Sequence, residues 1–491
     1  MSVRETVMNG WETVIGLEVH CELRTATKLF CGCRNSFGQE PNTNICPVCL
    51  GLPGALPVLN RAAVEYAIRI GAALNSTSQA SMFHRKNYFY PDMPKDFQIS
   101  QYDVPINAGG WLTLPTGRRI GIERAHLEED TGKTTHVGGG GRIHEATKSL
   151  VDYNRAGVPL VEIVSAPDMR SAEEARAYVD ELRSILVATG ASDGKMEEGS
   201  LRVDANVSIR PFGAEAFGTR CEIKNMNSLR SLGRAIEYEV ARQIEVIEAG
   251  GTISQETRHW DEGAGRTGSM RSKEEAYDYR YFPEPDLVPV EPSSAWIAEV
   301  KAGLPPMPAS RRARIGEMAG LPADSEAVLT VVRLGLDDLV EAVASASSAG
   351  GVDNVGAPQV AGIAIAVKRA ANEVAADLEG ASRLDRQAFA RLVGMEASGK
   401  LTSAQARTVL RSMLDSGGDP DAIAGELGFE AMDTGDLEGL VDAVLAAHPD
   451  EWARLRGGEE KLTGFFIGHI KQVSEGKADL KAASALLRQR R

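Results

Sequence analysis

Residues 14–23, VIGLEVHCEL, alternate with a period of two, placing Ile15, Leu17, Val19, Cys21 and Leu23 on one side and Glu18, His20 and Glu22 on the other. Such alternation predicts a β-strand with one apolar and one polar face, and a strand lying over solvent explains it in isolation. The pattern recurs, however. In GSLRVDANVSIRP (199–211), Leu201, Val203, Ala205, Val207 and Ile209 alternate with Arg202, Asp204, Asn206, Ser208 and Arg210. TRCEIKN (219–225) repeats it with Arg220, Glu222 and Lys224, and in PLVEIVSAPD the carboxylate of Glu162 stands between Val161 and Ile163. Solvent asks only for polarity. Four strands whose polar faces mix carboxylate, imidazole, guanidinium and amide read instead as the lining of a charged cradle.

Helical periodicity predicts helices over 60–75, 171–190 and 229–249, the second opening on Ser171 and Glu174 in capping-box spacing and closing on Gly190. A proline-marked stretch, YFPEPDLVPVEP (281–292), breaks the pattern. From 294 onward the chain is rich in Ala and Leu, with helical periodicity and no strand run. The expected architecture is α+β: an N-terminal antiparallel-sheet cradle with a zinc-binding insert (1–293), a helical domain (294–405) and a small helical C-terminal tail (406–491).

At 491 residues the chain exceeds a single core. Its longest apolar stretch, VAGIAIAV (360–367), ends in Lys368 and Arg369, far short of the ~20 residues that span a bilayer. The first residues lack the hydrophobic core of a secretory signal, which places the protein in the cytoplasm. A net charge of −14 argues against nonspecific grip on a polyanion. The last stretch runs the other way: between 461 and 491, Lys461, Lys471, Lys477, Lys481, Arg488, Arg490 and Arg491 face only Glu475 and Asp479. A solvated helix and an RNA contact both account for this run.

Cys31, Cys33, Cys46 and Cys49 form Cys-x-Cys, a polar loop, and Cys-x-x-Cys. Two close thiol pairs in a cytoplasmic chain predict a closed, structural zinc site. A redox dithiol would instead open a helix after a strand, which Pro47 disfavours. Cys21 and Cys221 lie on apolar strand faces and are read as buried.

Carboxylates with one histidine suit a hard cation such as Mg²⁺, and ERAHLEEDTGKTTH (123–136) adds Glu128, Glu129 and Asp130 beside Lys133. Lys86, Arg202, Arg210 and Lys224 are candidates to answer phosphate charge, with Asp204 and Asn206 on the same polar faces. GKT (132–134) is no P-loop, which would need glycine where Leu127 stands, and GGGG (138–141) reads as a loop or a phosphate cradle. HExxH is missing, so zinc proteolysis loses ground.

Taken together and in order, VIGLEVHCEL, RKNYFYPDMPKDFQISQYD, HLEEDTGK, LVEIVSAPD, KMEEGSLRVDANVSIRP, EIKNMNS and DYRYFPEPDL closely resemble the B subunits of bacterial aspartyl/glutamyl-tRNA amidotransferases. The resemblance implies ATP-dependent amidation of glutamate or aspartate misacylated onto tRNA(Gln) or tRNA(Asn). ATP phosphorylates the side-chain carboxylate, and ammonia then displaces phosphate. Carried over by motif, His20, Glu129 and Glu162 resemble Mg²⁺ ligands, with Glu18 as an outer or second-metal candidate. Lys95 and Glu129 resemble the pair at the mouth of an ammonia path. No glutaminase signature is visible in the chain. The family solution is an amidase subunit and a small bridging subunit as partners, with the helical tail holding tRNA. The competing expectation is a zinc-stabilised RNA-binding adaptor without chemistry of its own.

Overall fold

A computed structural model describes residues 7, 8, 10–138, 146–270, 279–348, 357–429, 434–474, 478 and 480–491. They fall into two compact units, Met1–Pro308 and Ala309–Arg491. Most of the GGGG segment lies outside the described residues, as do Glu475, Lys477 and Asp479 of the basic run.

The first unit is organised by one mixed sheet. Its main path uses β1 (Trp11–Glu22), β2 (His84–Asn87), β3 (Phe97–Ser100), β4 (Arg119–Glu129), β5 (Pro159–Ser165), β6 (Leu201–Pro211), β7 (Cys221–Met226), β8 (Thr257–Asp261), β9 (Arg266–Ser269) and β10 (Phe282–Pro283). They are ordered β9-β8-β7-β6-β1-β5-β4-β3-β2-β10. The pairs are antiparallel except β7–β8, which run parallel, so the expected antiparallel sheet is a mixed one.

β1 lies between β5 and β6, with Glu162 opposite His20 on one side and Arg202 opposite His20 on the other. The apolar positions of these strands, including Leu17, Val19, Ile163 and Val203, form one core with Ile68 of α1 (Arg61–Ala73), Tyr178 and Leu182 of α2 (Ala172–Ala188), and Ile236 of α3 (Leu229–Glu248). Burying each large aliphatic side chain contributes roughly 1.5–3 kcal/mol. A one-residue slip of β1 would exchange that gain for the burial of Glu18 and His20, so the alternation fixes the register.

The helix limits follow local chemistry. Side chains of Asn60, Ser171 and Ser228 accept hydrogen bonds from the first-turn amides of α1, α2 and α3. At α2 only half of the expected capping box forms, because Glu174 accepts from the backbone N–H of Arg170 and pairs with Arg118. A fourth helix, α4 (Ser294–Ala302), places Val300 in the same core, with Arg61 stacked over Trp296, so the first unit runs past the proline-rich stretch.

Beyond it the described residues contain helices and no strand. A second core gathers residues from Ile315 to Ala424, including Ala406, Val409, Leu410 and Met413 of the helix Ser403–Ser416. Arg369, 1% exposed, binds Glu396, Glu373 and the Ser403 carbonyl inside it. A third, smaller core runs from Leu437 to Leu487. No helix among the described residues is long and apolar enough to cross a membrane.

Candidate active site

The pairing of β6, β1, β5 and β4 sets Arg202, His20, Glu162 and His126 in one row across the polar face. Glu128 lies two residues along β4 from His126, hence on the same face. His20 Nε2 stands 3.4 Å from Glu128 Oε1 and 3.5 Å from Glu162 Oε2. These three side chains offer ligand atoms close enough together to hold a metal ion.

Two carboxylates facing one imidazole nitrogen demand positive charge between them. Burial would lower the His20 pKa, but the hydrogen bond to Glu162 and the charges of Glu128 and Glu162 outweigh it and raise it to about 9. Burial also works against the Glu162 carboxylate, yet the hydrogen bond and charge of His20 and the charge of Arg124 hold it well below the usual range. Glu128 responds the other way, since burial and then the charge of Glu162 push it up to about 7. A divalent cation here, with His20 giving up its proton to become a ligand, would satisfy both carboxylates more fully. His126 is fully buried, 3.7 Å from Glu162, with neither ring nitrogen hydrogen-bonded; burial lowers it to about 4, so it is a neutral imidazole.

The rest of the face is laced with ion pairs. Lys224 bridges Asp204 at 2.6 Å and Glu222 at 3.0 Å, and Asn206 donates to Glu18 at 2.9 Å. Burial, then Glu162, raises the pKa of Glu18; burial, then Asp130, raises that of Glu22 to about 7. Arg202 donates to Asp130 at 2.8 Å, with Arg155 at 3.4 Å from the same oxygen. Arg210, at the far end of β6, pairs with Glu12 at 2.6 Å. Lys86 lies 4.8 Å from the ring of Tyr279, and Arg124 is stacked 4.6 Å over Tyr102.

Glu129 takes one of its two expected places, beside Lys95, and not the other, among the cation ligands. Alternation along β4 sends it to the side of Ala125 and Leu127, where it pairs with Lys95 and accepts from the Ile99 N–H at 3.0 Å. It does not join His20 and Glu162; Glu128 does.

The four cysteines converge into a second group able to hold a metal ion. Sγ of Cys49 lies 3.6 Å from that of Cys31, 3.6 Å from that of Cys46 and 3.8 Å from that of Cys33. The buried Lys28 donates to Cys49 Sγ at 3.4 Å and to the Asn44 carbonyl at 3.0 Å. The hydrogen bond from Cys31 and, against the cost of burial, the Lys28 charge lower Cys49 to about 4. Cys21 and Cys221 are buried and apart from this group.

Residues 13–298 match the family model described as the GatB/GatE catalytic domain, and 354–490 match that of the GatB domain. The chain belongs to the GatB family. Relatives are similar over nearly their whole length. The B subunit of the aspartyl/glutamyl-tRNA(Asn/Gln) amidotransferase of Carboxydothermus hydrogenoformans is 47% identical over 486 residues, covering 98% of this chain and 99% of its own. The protein of the same name from Salinispora arenicola is 50% identical over 496 residues, covering 99% and 97%.

For this GatB chain, sequence reasoning placed His20 and Glu162 on the polar face and missed the roles of His126, Arg124 and Arg155. A signal existed for two of them. In RAHLEE, Ala125 and Leu127 alternate with Arg124, His126 and Glu128, which assigns the last three to one face and Glu129 to the other. Arg155 lies in a turn, where no periodicity could mark it.

Proposed function

We propose that the chain is the phosphorylating and amidating subunit of a tRNA-dependent amidotransferase, acting on Glu-tRNA(Gln), Asp-tRNA(Asn) or both. The observation that carries this reading is the convergence of His20, Glu128 and Glu162 on the polar face of a chain that matches the GatB catalytic-domain model. A carboxylate resists ammonia because it is negative and offers an oxide leaving group. ATP removes both obstacles: a carboxylate oxygen takes the γ-phosphoryl group, ADP leaves, and ammonia then displaces inorganic phosphate from the acyl carbon to give the amide.

His20, Glu128 and Glu162 would hold Mg²⁺, which when bound neutralises phosphate oxygens. Glu18 and Asn206 border this group. Lys86, Arg124 and Arg202 supply positive charge along the same face, with Lys224 and Asp204 farther along it and Arg210 at its far end. Lys95 and Glu129 sit apart from the cation group, a place suited to receiving ammonia and to taking a proton from ammonium. A glutaminase subunit and a small bridging subunit supply that ammonia, and the C-terminal helices hold the tRNA. The cysteine cluster is a structural zinc site: a tetrahedron with Zn–S bonds of ~2.3 Å has sulfur–sulfur edges of about 3.8 Å, close to the separations around Cys49.

Glu162→Ala in the assembled complex should lower both tRNA-dependent ADP formation and amide formation, on the order of 10²–10³-fold, as for other removed electrostatic stabilisers. Glutaminase turnover in the partner should persist. Near-normal amidation by the variant rejects the assignment. A wild-type complex that binds tRNA and forms no ADP points to the adaptor role instead.

A further inference from the structure

We propose that the four-cysteine cluster is a clamp that positions the Lys95–Glu129 pair, with Gly51 and Phe30 as the parts that touch Lys95. Gly51 follows Cys49 by two residues, in a turn closed by hydrogen bonds from Leu50 N–H to the Cys46 carbonyl, 3.1 Å, and from Gly51 N–H to the Val48 carbonyl, 3.2 Å. Its φ of +62° suits glycine, and it lies directly against Lys95. A Cβ there would overlap Lys95 Cγ and stand 3.1 Å from its Cβ and 3.2 Å from its Cα.

Phe30, adjacent to Cys31 and buried, presents its ring 5.9 Å from Lys95 Nζ, with Phe97 at 5.4 Å. Both ends of the cysteine loop therefore bracket one lysine. Ammonium over aromatic faces is attracted to them, while the narrow gap at Gly51 limits the stem.

Glu129 is approached from the same element. Lys28, bonded to Cys49, runs beside Gly157, and a side chain at Gly157 would lie 3.6 Å from Lys28 Cδ and 3.9 Å from Glu129 Oε2. Leu29 N–H donates to the Gly157 carbonyl at 2.9 Å. Closing the four thiols around a metal thus fixes three backbone segments, at residues 28–30, 49–51 and 157, that surround the pair. Gly51, Phe30 and Lys28 are positioning residues: none is placed where substrate reacts.

The test is competitive acetylation of the full-length protein with trace acetic anhydride, read at Lys95 by mass spectrometry relative to exposed Lys301. Gly51→Ala should raise labelling of Lys95 about tenfold, equivalent to ~1.4 kcal/mol. Stripping the metal with a chelator should act in the same direction. Gly54→Ala is the control, since Gly54 shares the left-handed backbone, φ +82°, but a Cβ there meets nothing within 4 Å; it should leave Lys95 unchanged. Unchanged labelling in both Gly51→Ala and stripped protein overturns the proposal, as does an equal rise in Gly54→Ala. If Gly51→Ala does not fold, the stripped wild-type protein decides.

The consequence for catalysis rests on the proposed function: in the assembled complex Gly51→Ala should cut amide formation more than tRNA-dependent ADP release. Failure of that underlying reading would appear as no ADP release in the wild type, and it leaves the labelling result standing.

Discussion

Glu128 and Glu129 are neighbours in the chain, yet they leave β4 on opposite sides: Glu128 meets His20 at 3.4 Å, and Glu129 meets Lys95. Two consecutive carboxylates therefore serve two separate places. Only Glu128 shares its face with Glu162, whose charge adds to burial in raising it to about 7.

Separate variants should separate the roles. Glu128→Gln removes a candidate ligand and should weaken Mg²⁺ or Mn²⁺ binding by more than the roughly 10–100-fold that loss of an outer-shell partner costs. Glu129→Gln should leave cation affinity intact and lower amide formation on the order of 10²-fold, with ADP formation less affected. Cation titration and product analysis on the same preparations check both. Equal loss of cation binding in the two variants would contradict the division.

A second prediction concerns stability in the first unit. Glu239 of α3 is fully buried and accepts from Arg242 at 2.6 Å, Gln243 at 2.9 Å and Thr267 at 2.9 Å, with Arg258 at 3.3 Å. Burial opposes its ionisation, but the bonds from Arg242, Gln243 and Thr267 and the Arg242 charge outweigh it and lower the pKa. A carboxyl depressed on folding contributes stability that is full above its unfolded value, ~4.3, and is lost as pH falls toward the folded value. Glu239→Gln should cost about 3–5 kcal/mol at neutral pH, because Arg242 and Arg258 lose a buried counter-charge. Denaturant titrations should show that gap narrowing below pH ~4.

How much of this was legible beforehand depended on the range of the interaction. Strand identity and face came through for 14–23, 199–211 and 219–225, because a period of two is a local property of the pleat. The Glu128–Glu129 distinction was equally local, and the spacing of Ala125 and Leu127 carried it. Neighbour relations were not legible. Nothing near His20 announces that it will lie between Glu162 and Arg202, about 140 and 180 residues away, since pairing is decided by the summed burial of whole strands. Buried ion pairs such as Arg369–Glu396 were hidden for a different reason: each partner, read alone, belongs on a wet helix face.

The cysteine cluster makes its own prediction through Lys28. Four thiolates around a divalent metal carry excess negative charge, and the Lys28 ammonium, 3.4 Å from Cys49 Sγ, offsets part of it in a buried place. Lys28→Met keeps much of the stem and removes the charge. Loss of a hydrogen bond to a charged group costs roughly 1.5–3 kcal/mol, or about 10- to 150-fold in affinity. Zinc release to a chromogenic chelator should accelerate accordingly, while Cys46→Ser with Cys49→Ser should abolish stoichiometric zinc. An unaltered release rate in Lys28→Met would show that the ammonium does not stabilise the cluster.

The tail offers the last prediction, and its cores decide where to cut. Truncation after residue 405 removes Ala406, Val409, Leu410 and Met413 from the second core, and the loss of several buried side chains at about 2–5 kcal/mol each should unfold that core. Truncation after residue 429 removes only the third core, which starts at Leu437, and should leave the rest folded by circular dichroism. If the C-terminal helices hold tRNA, the shorter truncation should still weaken binding. The basic run is less free than its composition suggests, however. Arg490 and Arg491 are exposed like Lys461, Lys471 and Arg488, but Arg490 already pairs with Asp442 at 2.9 Å and Arg491 with Glu460 at 2.6 Å. Each phosphate left without its cationic partner should reduce the slope of log affinity against log salt by about 0.7–0.9. Replacing Lys461, Lys471 and Arg488 together should therefore flatten that slope more than replacing Arg490 and Arg491, and a salt titration of tRNA binding that ranks the two sets the other way rejects the tail as the phosphate-binding element.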